Sequence, residues 1–159
     1  MHSQHPPHTE TKLASYIHGK VLDAIVGIRK DSPTSLQHLS VELLEDKMKM
    51  LYIPKSFAHS FQSHEDNAEI MYLATECYSP ASECGLNLLD SFLKIEWPLE
   101  VANMSNKDKL RTMIDDSFVG VEINALGGRG ETRYPDTFRN NSHSTTTLCS
   151  LWRYADASS

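Results

Sequence analysis

Four histidines and a lysine stand out for the chemistry they could support. His2, His5 and His8 fall in a polar leader ahead of Lys12, and the run Ile53-Pro54-Lys55-Ser56-Phe57-Ala58-His59-Ser60-Phe61 places another histidine in a strand-like stretch. A histidine that is neutral near pH 7 is a ready general base, and a nearby ammonium offsets negative charge developing on an oxygen. Together they suit proton removal beside a carbonyl. The competing reading of His2, His5 and His8 is a set of solvated side chains near a terminus. Tyr72 lies in Glu69-Ile70-Met71-Tyr72-Leu73-Ala74-Thr75, where alternation puts Ile70, Tyr72 and Ala74 on one face of a strand and Met71 and Leu73 on the other. On residue type and alternation alone, Tyr72 reads as a barrel-core tyrosine.

A metal-dependent reading built on His2, His5, His8 and His59 is the sharper rival, since histidine is the commonest metal ligand. Metal sites in small barrels use a close histidine pair with a carboxylate, and the sequence has no H-x-H to match. No metal and no cofactor are expected. Cys77, Cys84 and Cys149 lack C-x-x-C spacing and are read as free thiols.

These residues need a scaffold. The 159 residues are 40% hydrophobic and 23% charged, the make-up of one globular domain. A net charge of -6 with scattered Lys and Arg argues against a nucleic-acid surface. No apolar stretch approaches the roughly 18 to 20 residues that span a bilayer, and Met1 to Thr11 are polar, so a cytoplasmic protein without a membrane partner is expected.

Short apolar runs separated by turn signals predict antiparallel strands at Lys12 to Ile17, Val21 to Ile28, Leu36 to Leu44, Met48 to Ile53, Phe57 to Gln62 and Glu69 to Glu76. His18-Gly19 and Asp31-Ser32-Pro33-Thr34 break the pattern, and Asp46-Lys47 and His64-Glu65-Asp66-Asn67 read as hairpin turns. Such spacing indicates a barrel or sandwich. Ser105-Asn106-Lys107-Asp108 reads as an N-cap before a short helix over Lys109 to Ile114. Beyond Ile123 the Gly-, Asn- and Thr-rich composition predicts little packed structure, although Trp152 and Tyr154 could dock on the barrel or a partner.

Several separated stretches keep the order and register of one known family. Met1-His2-Ser3-Gln4 followed by Lys12 is similar to its L-H-x-Q and K-L-V segments. The others are Gly19-Lys20-Val21-Leu22-Asp23, Ile28 to Thr34, Tyr52-Ile53-Pro54 through Phe61, Tyr72-Leu73, Tyr78 to Glu83, Ile95-Glu96-Trp97-Pro98-Leu99 and Ser105-Asn106-Lys107-Asp108. Jointly they resemble the dTDP-4-dehydrorhamnose 3,5-epimerases over roughly Met1 to Ile123.

The resemblance implies an all-β, cupin-like (jelly-roll) barrel with a short C-terminal helical region. It divides the chain into an incomplete epimerase domain at 1–123 and a poorly structured tail at 124–159. It implies an isomerase that inverts carbons 3 and 5 of dTDP-4-dehydro-6-deoxyglucose without a cofactor. The alternatives are a single-centre epimerase or an inactive nucleotide-sugar-binding remnant. By the same resemblance His2 is the base, Asp108 its carboxylate partner, Lys12 the amine beside the ketone oxygen and Tyr72 the proton donor. His59, Glu83 and Lys107 would bind substrate, Tyr78 would stack on the thymine, and the protein would be a homodimer acting on a dTDP-linked 4-keto-6-deoxyhexose.

Two departures stand out. The family carries a further segment before L-H-x-Q, so a truncated chain is expected, and Gly27 stands where the family usually has an aspartate. Asp23 is read as a structural barrel residue.

Overall fold

The computed structural model describes residues 1–122 and the strand at 152–156. Among the described residues nine strands form three antiparallel sheets: β1 (Ser3–Gln4), β2 (Lys12–His18), β3 (Lys20–Gly27), β4 (His38–Leu44), β5 (Met50–Ile53), β6 (Phe57–Ser63), β7 (Glu69–Ala74), β8 (Glu83–Cys84) and β9 (Trp152–Asp156). Their orders are β5-β2-β7-β9, β4-β3-β6 and β1-β8.

The six strands expected between Lys12 and Glu76 are all present, but two of the connections are not the expected hairpins. β4 and β5 lie in different sheets, as do β6 and β7, so the 3-10 turn Glu45–Lys47 and the turn around Asn67 carry the chain across the sandwich. Gly19, at φ 85°, makes a third crossing between β2 and β3. Turn residues signal a reversal of direction, whereas the strand's partner is chosen by which faces must be buried. This alternation between facing sheets is jelly-roll topology.

The core sits in two layers about β3. Val21 and Ile25 face the opposing sheet, meeting Tyr16 and Ile70 in one cluster and Ala14, Ile53 and Phe57 in another. On the reverse face Ala24, Val26 and Ile28 pack with Met1, Ala58, Leu86, Leu93 and Val121. Burial on both sides explains why β3 reads as a nearly unbroken apolar run. Gly27 is compelled by crowding, because a Cβ there would lie 2.6 Å from the Thr34 carbonyl oxygen.

Leu36 has φ 59°, a left-handed conformation that a strand cannot hold, so β4 begins at His38 instead of Leu36. The helix α1 spans Asn106–Lys109, with the Ser105 side chain accepting from the Asp108 amide, so Asn106 to Asp108 are helical and are not the cap of a later helix over Lys109 to Ile114. A single capped turn docked against the site needs no longer helix. Of the stretch 124–159, the described strand β9 pairs with β7 from Glu69↔Asp156 to Leu73↔Trp152, so these five residues form a strand. The remaining expectation for the tail, and Cys149, lie outside the described residues.

Candidate active site

His2 is held at the junction of two sheets. Its amide donates to the His59 carbonyl at 2.8 Å and its carbonyl accepts from the His59 amide at 3.0 Å, while the following β1 pairs with β8. Gly85 allows this placement, since a Cβ there would collide with the Met1 carbonyl. The His2 ring then lies between two carboxylates, with Nε2 3.1 Å from Asp108 Oδ2 and Nδ1 3.2 Å from Glu83 Oε1. Burial lowers the His2 pKa below the ordinary imidazole value, against the opposing pull of Asp108 and Glu83. A neutral, base-competent ring results.

Asp108 is partly desolvated, which on its own would raise its pKa, but the Ser105 hydroxyl, the Met1 ammonium and His2 outweigh this and hold it at about 2. Glu83 is also held at about 2, by Lys107 at 2.6 Å and the Tyr78 hydroxyl at 2.5 Å. The same contacts raise the Lys107 pKa. Both carboxylates are therefore fixed negative charges across the pH range where histidine titrates.

A cavity of about 190 Å³ opens beside this cluster, lined by His2, Lys12 and Tyr72 together with Glu10, Tyr78 and Glu83. β2 and β7 position Lys12 and Tyr72, with Lys12 opposite Ala74 and Ala14 opposite Tyr72. The Lys12 ammonium pairs with Glu10 at 2.9 Å. Seven of the eight candidate residues thus converge: His2, Glu83, Lys107 and Asp108 in one charged network, Tyr78 on Glu83, and Lys12 and Tyr72 across the cavity. His59 contributes its backbone to His2, but its ring points into the sandwich, with Nε2 3.0 Å from the fully buried Asp23, which also accepts from the Tyr16 hydroxyl at 2.7 Å.

Two charged residues at the site escaped the sequence reading. Glu10 precedes Lys12 by two positions, and Arg111 follows Asp108 by three, a spacing that brings side chains together on a helical turn. His8 sits 3.5 Å from Glu76 at the cavity rim. Among the described residues no three His, Cys, Asp or Glu side chains are grouped as metal ligands, and the described cysteines, Cys77 and Cys84, are free.

Residues 1–116 match the dTDP-4-dehydrorhamnose 3,5-epimerase family. The chain belongs to this family. It is 36% identical over 120 residues to the dTDP-4-dehydrorhamnose 3,5-epimerase of Salmonella typhimurium, covering 75% of this chain and 66% of that protein. Among solved structures, an epimerase from Legionella pneumophila in complex with dTDP-4-keto-L-rhamnose superposes with a TM-score of 0.70 at 35% identity, over 78% of this chain and 67% of the other. A 3′-monoepimerase from Streptomyces bikiniensis in complex with dTDP-quinovose superposes with a TM-score of 0.67 at 28% identity, over 70% and 57%. The chain thus spans about two thirds or less of these relatives. Its architecture is the family's all-β, cupin-like fold, with the β5-β2-β7-β9 and β4-β3-β6 sheets not hydrogen-bonded to each other as a closed cylinder among the described residues.

Proposed function

We propose that the chain carries the epimerase site of its family and acts on dTDP-4-dehydro-6-deoxyglucose, inverting carbons 3 and 5 beside the carbon 4 ketone. The observation that carries this reading is the His2–Asp108 pair beside a cavity that also receives Lys12 and Tyr72. The ketone acidifies the protons on both neighbouring carbons. His2 takes one of them, the C–H bonding pair moves into an enolate, and the Lys12 ammonium offsets the charge on its oxygen. The Tyr72 phenol returns a proton to the opposite face, forming the new C–H bond, and solvent restores both side chains. Asp108, ionised throughout, stabilises the imidazolium formed at His2.

At the cavity mouth Tyr78 offers a ring for the thymine, and Lys107, within 6.0 Å of that ring, offers positive charge to the nucleotide. His59, whose ring is held on Asp23, serves the substrate site through the backbone bonds that fix His2. A homodimer is supported by the outer face of the β5-β2-β7 sheet, where Ile17, Met50 and Tyr52 are exposed. Among the described residues no helix is long and apolar enough to cross a membrane, and the cytoplasm is the proposed location.

Incubation with dTDP-4-keto-6-deoxyglucose in heavy water, followed by NMR, tests the reading. Deuterium at carbons 3 and 5, lost in His2→Ala, is expected. Exchange at one carbon alone would favour a single-centre epimerase, the reading supported by the 3′-monoepimerase neighbour. Binding without exchange would leave a nucleotide-sugar-binding remnant and overturn the catalytic reading.

A further inference from the structure

Arg111 has no part in the chemistry outlined above, yet its guanidinium reaches the ring of the candidate base. It follows α1, and its Nη2 lies 3.1 Å from Glu83 Oε1 and 3.5 Å from His2 Nδ1, while its Nε lies 3.5 Å from Asp108 Oδ1. The guanidinium side chain is only 15% exposed. It therefore touches all three members of the cluster.

The roles of these contacts follow from what each group can donate. A guanidinium donates only and stays charged at any ordinary pH. Its approach to Nδ1 is favourable when that nitrogen presents a lone pair. Glu83 exerts the opposite pull, because a carboxylate 3.2 Å from Nδ1 favours a proton on that nitrogen. Asp108 at Nε2 accepts an N–H in either state. Left alone, two carboxylates flanking one imidazole would hold it as a doubly donating imidazolium with no site for a substrate proton.

We propose that Arg111 is a positioning residue that keeps His2 in its neutral tautomer, with Nε2–H donating to Asp108 and Nδ1 unprotonated, by drawing the Glu83 carboxylate onto itself. This inference rests on the reading of His2 as the base. Lys107 and Tyr78 assist from the other Glu83 oxygen. The other charged or titratable groups around His2 are the Met1 amino group on its own strand and Lys12, Glu10, Tyr72 and Glu76 across the cavity; the His59 ring is turned away onto Asp23.

The test is the titration of the His2 ring by NMR in the full, ligand-free chain, its resonance identified by loss in His2→Gln. In Arg111→Gln the midpoint should rise by roughly one pH unit, as expected when a neighbouring positive charge is lost. Arg111→Lys keeps the charge and should stay nearer the wild-type midpoint. The acid limb of the pH profile for deuterium exchange should move in parallel, a change that loss of structure alone would not produce. An unchanged or lowered midpoint in Arg111→Gln, in a protein whose other histidine resonances match wild type, would overturn the proposal. A wild-type chain that never exchanges deuterium would sink the catalytic reading while leaving the titration to decide the role of Arg111.

Discussion

His2 and His59 exchange a reciprocal pair of backbone hydrogen bonds, 2.8 and 3.0 Å long, so the candidate base is carried by the strand that anchors the buried Asp23. Disturbance of that core contact should therefore reach the site. Asp23→Ala strands the Tyr16 hydroxyl and the His59 Nε2 without their partner, at a cost of about 1–3 kcal/mol for each. A lower denaturation midpoint with an unchanged m-value, together with slower deuterium exchange, is the expected outcome. Tyr16→Phe leaves the His59 contact in place and should show the smaller loss.

Tyr72→Phe should separate exchange from inversion. His2 can remove a proton and return solvent deuterium to the same face without Tyr72, so isotope still enters the substrate. Net inversion should fall by about 10²–10⁴-fold, the range typical of a lost general acid. NMR quantification of deuterated starting sugar against epimerised product distinguishes the two. Equal loss of both would show that Tyr72 does not act as the proton donor.

Glu10 competes for the Lys12 ammonium, which the substrate oxygen must also approach. Glu10→Gln removes a negative charge from the cavity wall and releases Lys12. Binding of dTDP-4-keto-6-deoxyglucose, followed by calorimetry in a His2→Ala background, should tighten by about 1.5- to 5-fold, matching the roughly 0.2–1 kcal/mol of a partly exposed ion pair. Weaker binding would mean that Glu10 itself contacts the ligand.

The strands were legible because the apolar runs and their breakers are local features, and the convergence of most candidate residues because they fall in separated motifs whose register matches a family. What stayed hidden was long-range. Nothing near Asp46 or Asn67 in the sequence tells a crossing between sheets from a hairpin, since the answer lies in which faces β4, β5, β6 and β7 bury. Arg111 was missed because its partners, His2 and Glu83, stand 109 and 28 residues away. The Asp23–His59–Tyr16 cluster was missed for the same reason: β2, β3 and β6 place those side chains together only after the sheets face each other.

Stability should fall in acid through the site carboxylates. Glu83 and Asp108 ionise with pKa values of about 2 in the folded protein against ordinary values of 4.5 and 3.8. The unfolded chain therefore binds more protons between those limits, and stability present above pH 4.5 is lost as the pH falls toward 2. His2 acts in the same direction at higher pH, because its folded pKa lies below the ordinary 6.5 and protonation favours unfolding. Thermal unfolding across this range should show a shallower acid decline in Glu83→Gln. An identical decline would place the acid sensitivity elsewhere.

Gly85→Ala offers a way to move the base without touching it. The added methyl would collide with the Met1 carbonyl and approach the Arg111 guanidinium carbon at 2.9 Å. The long arginine can yield, but the Met1 backbone is confined by the buried Met1 side chain and by the His2–His59 bridge. The N-terminal strand must then shift, and a displacement of about 1 Å in a reacting group can cost on the order of 10²-fold in rate. Because Tyr78 and Lys107 lie outside this contact, dTDP affinity should change far less than the exchange rate. Parallel calorimetry and deuterium incorporation check the split, and an equal loss in both would mean that the substitution unfolds the site as a whole.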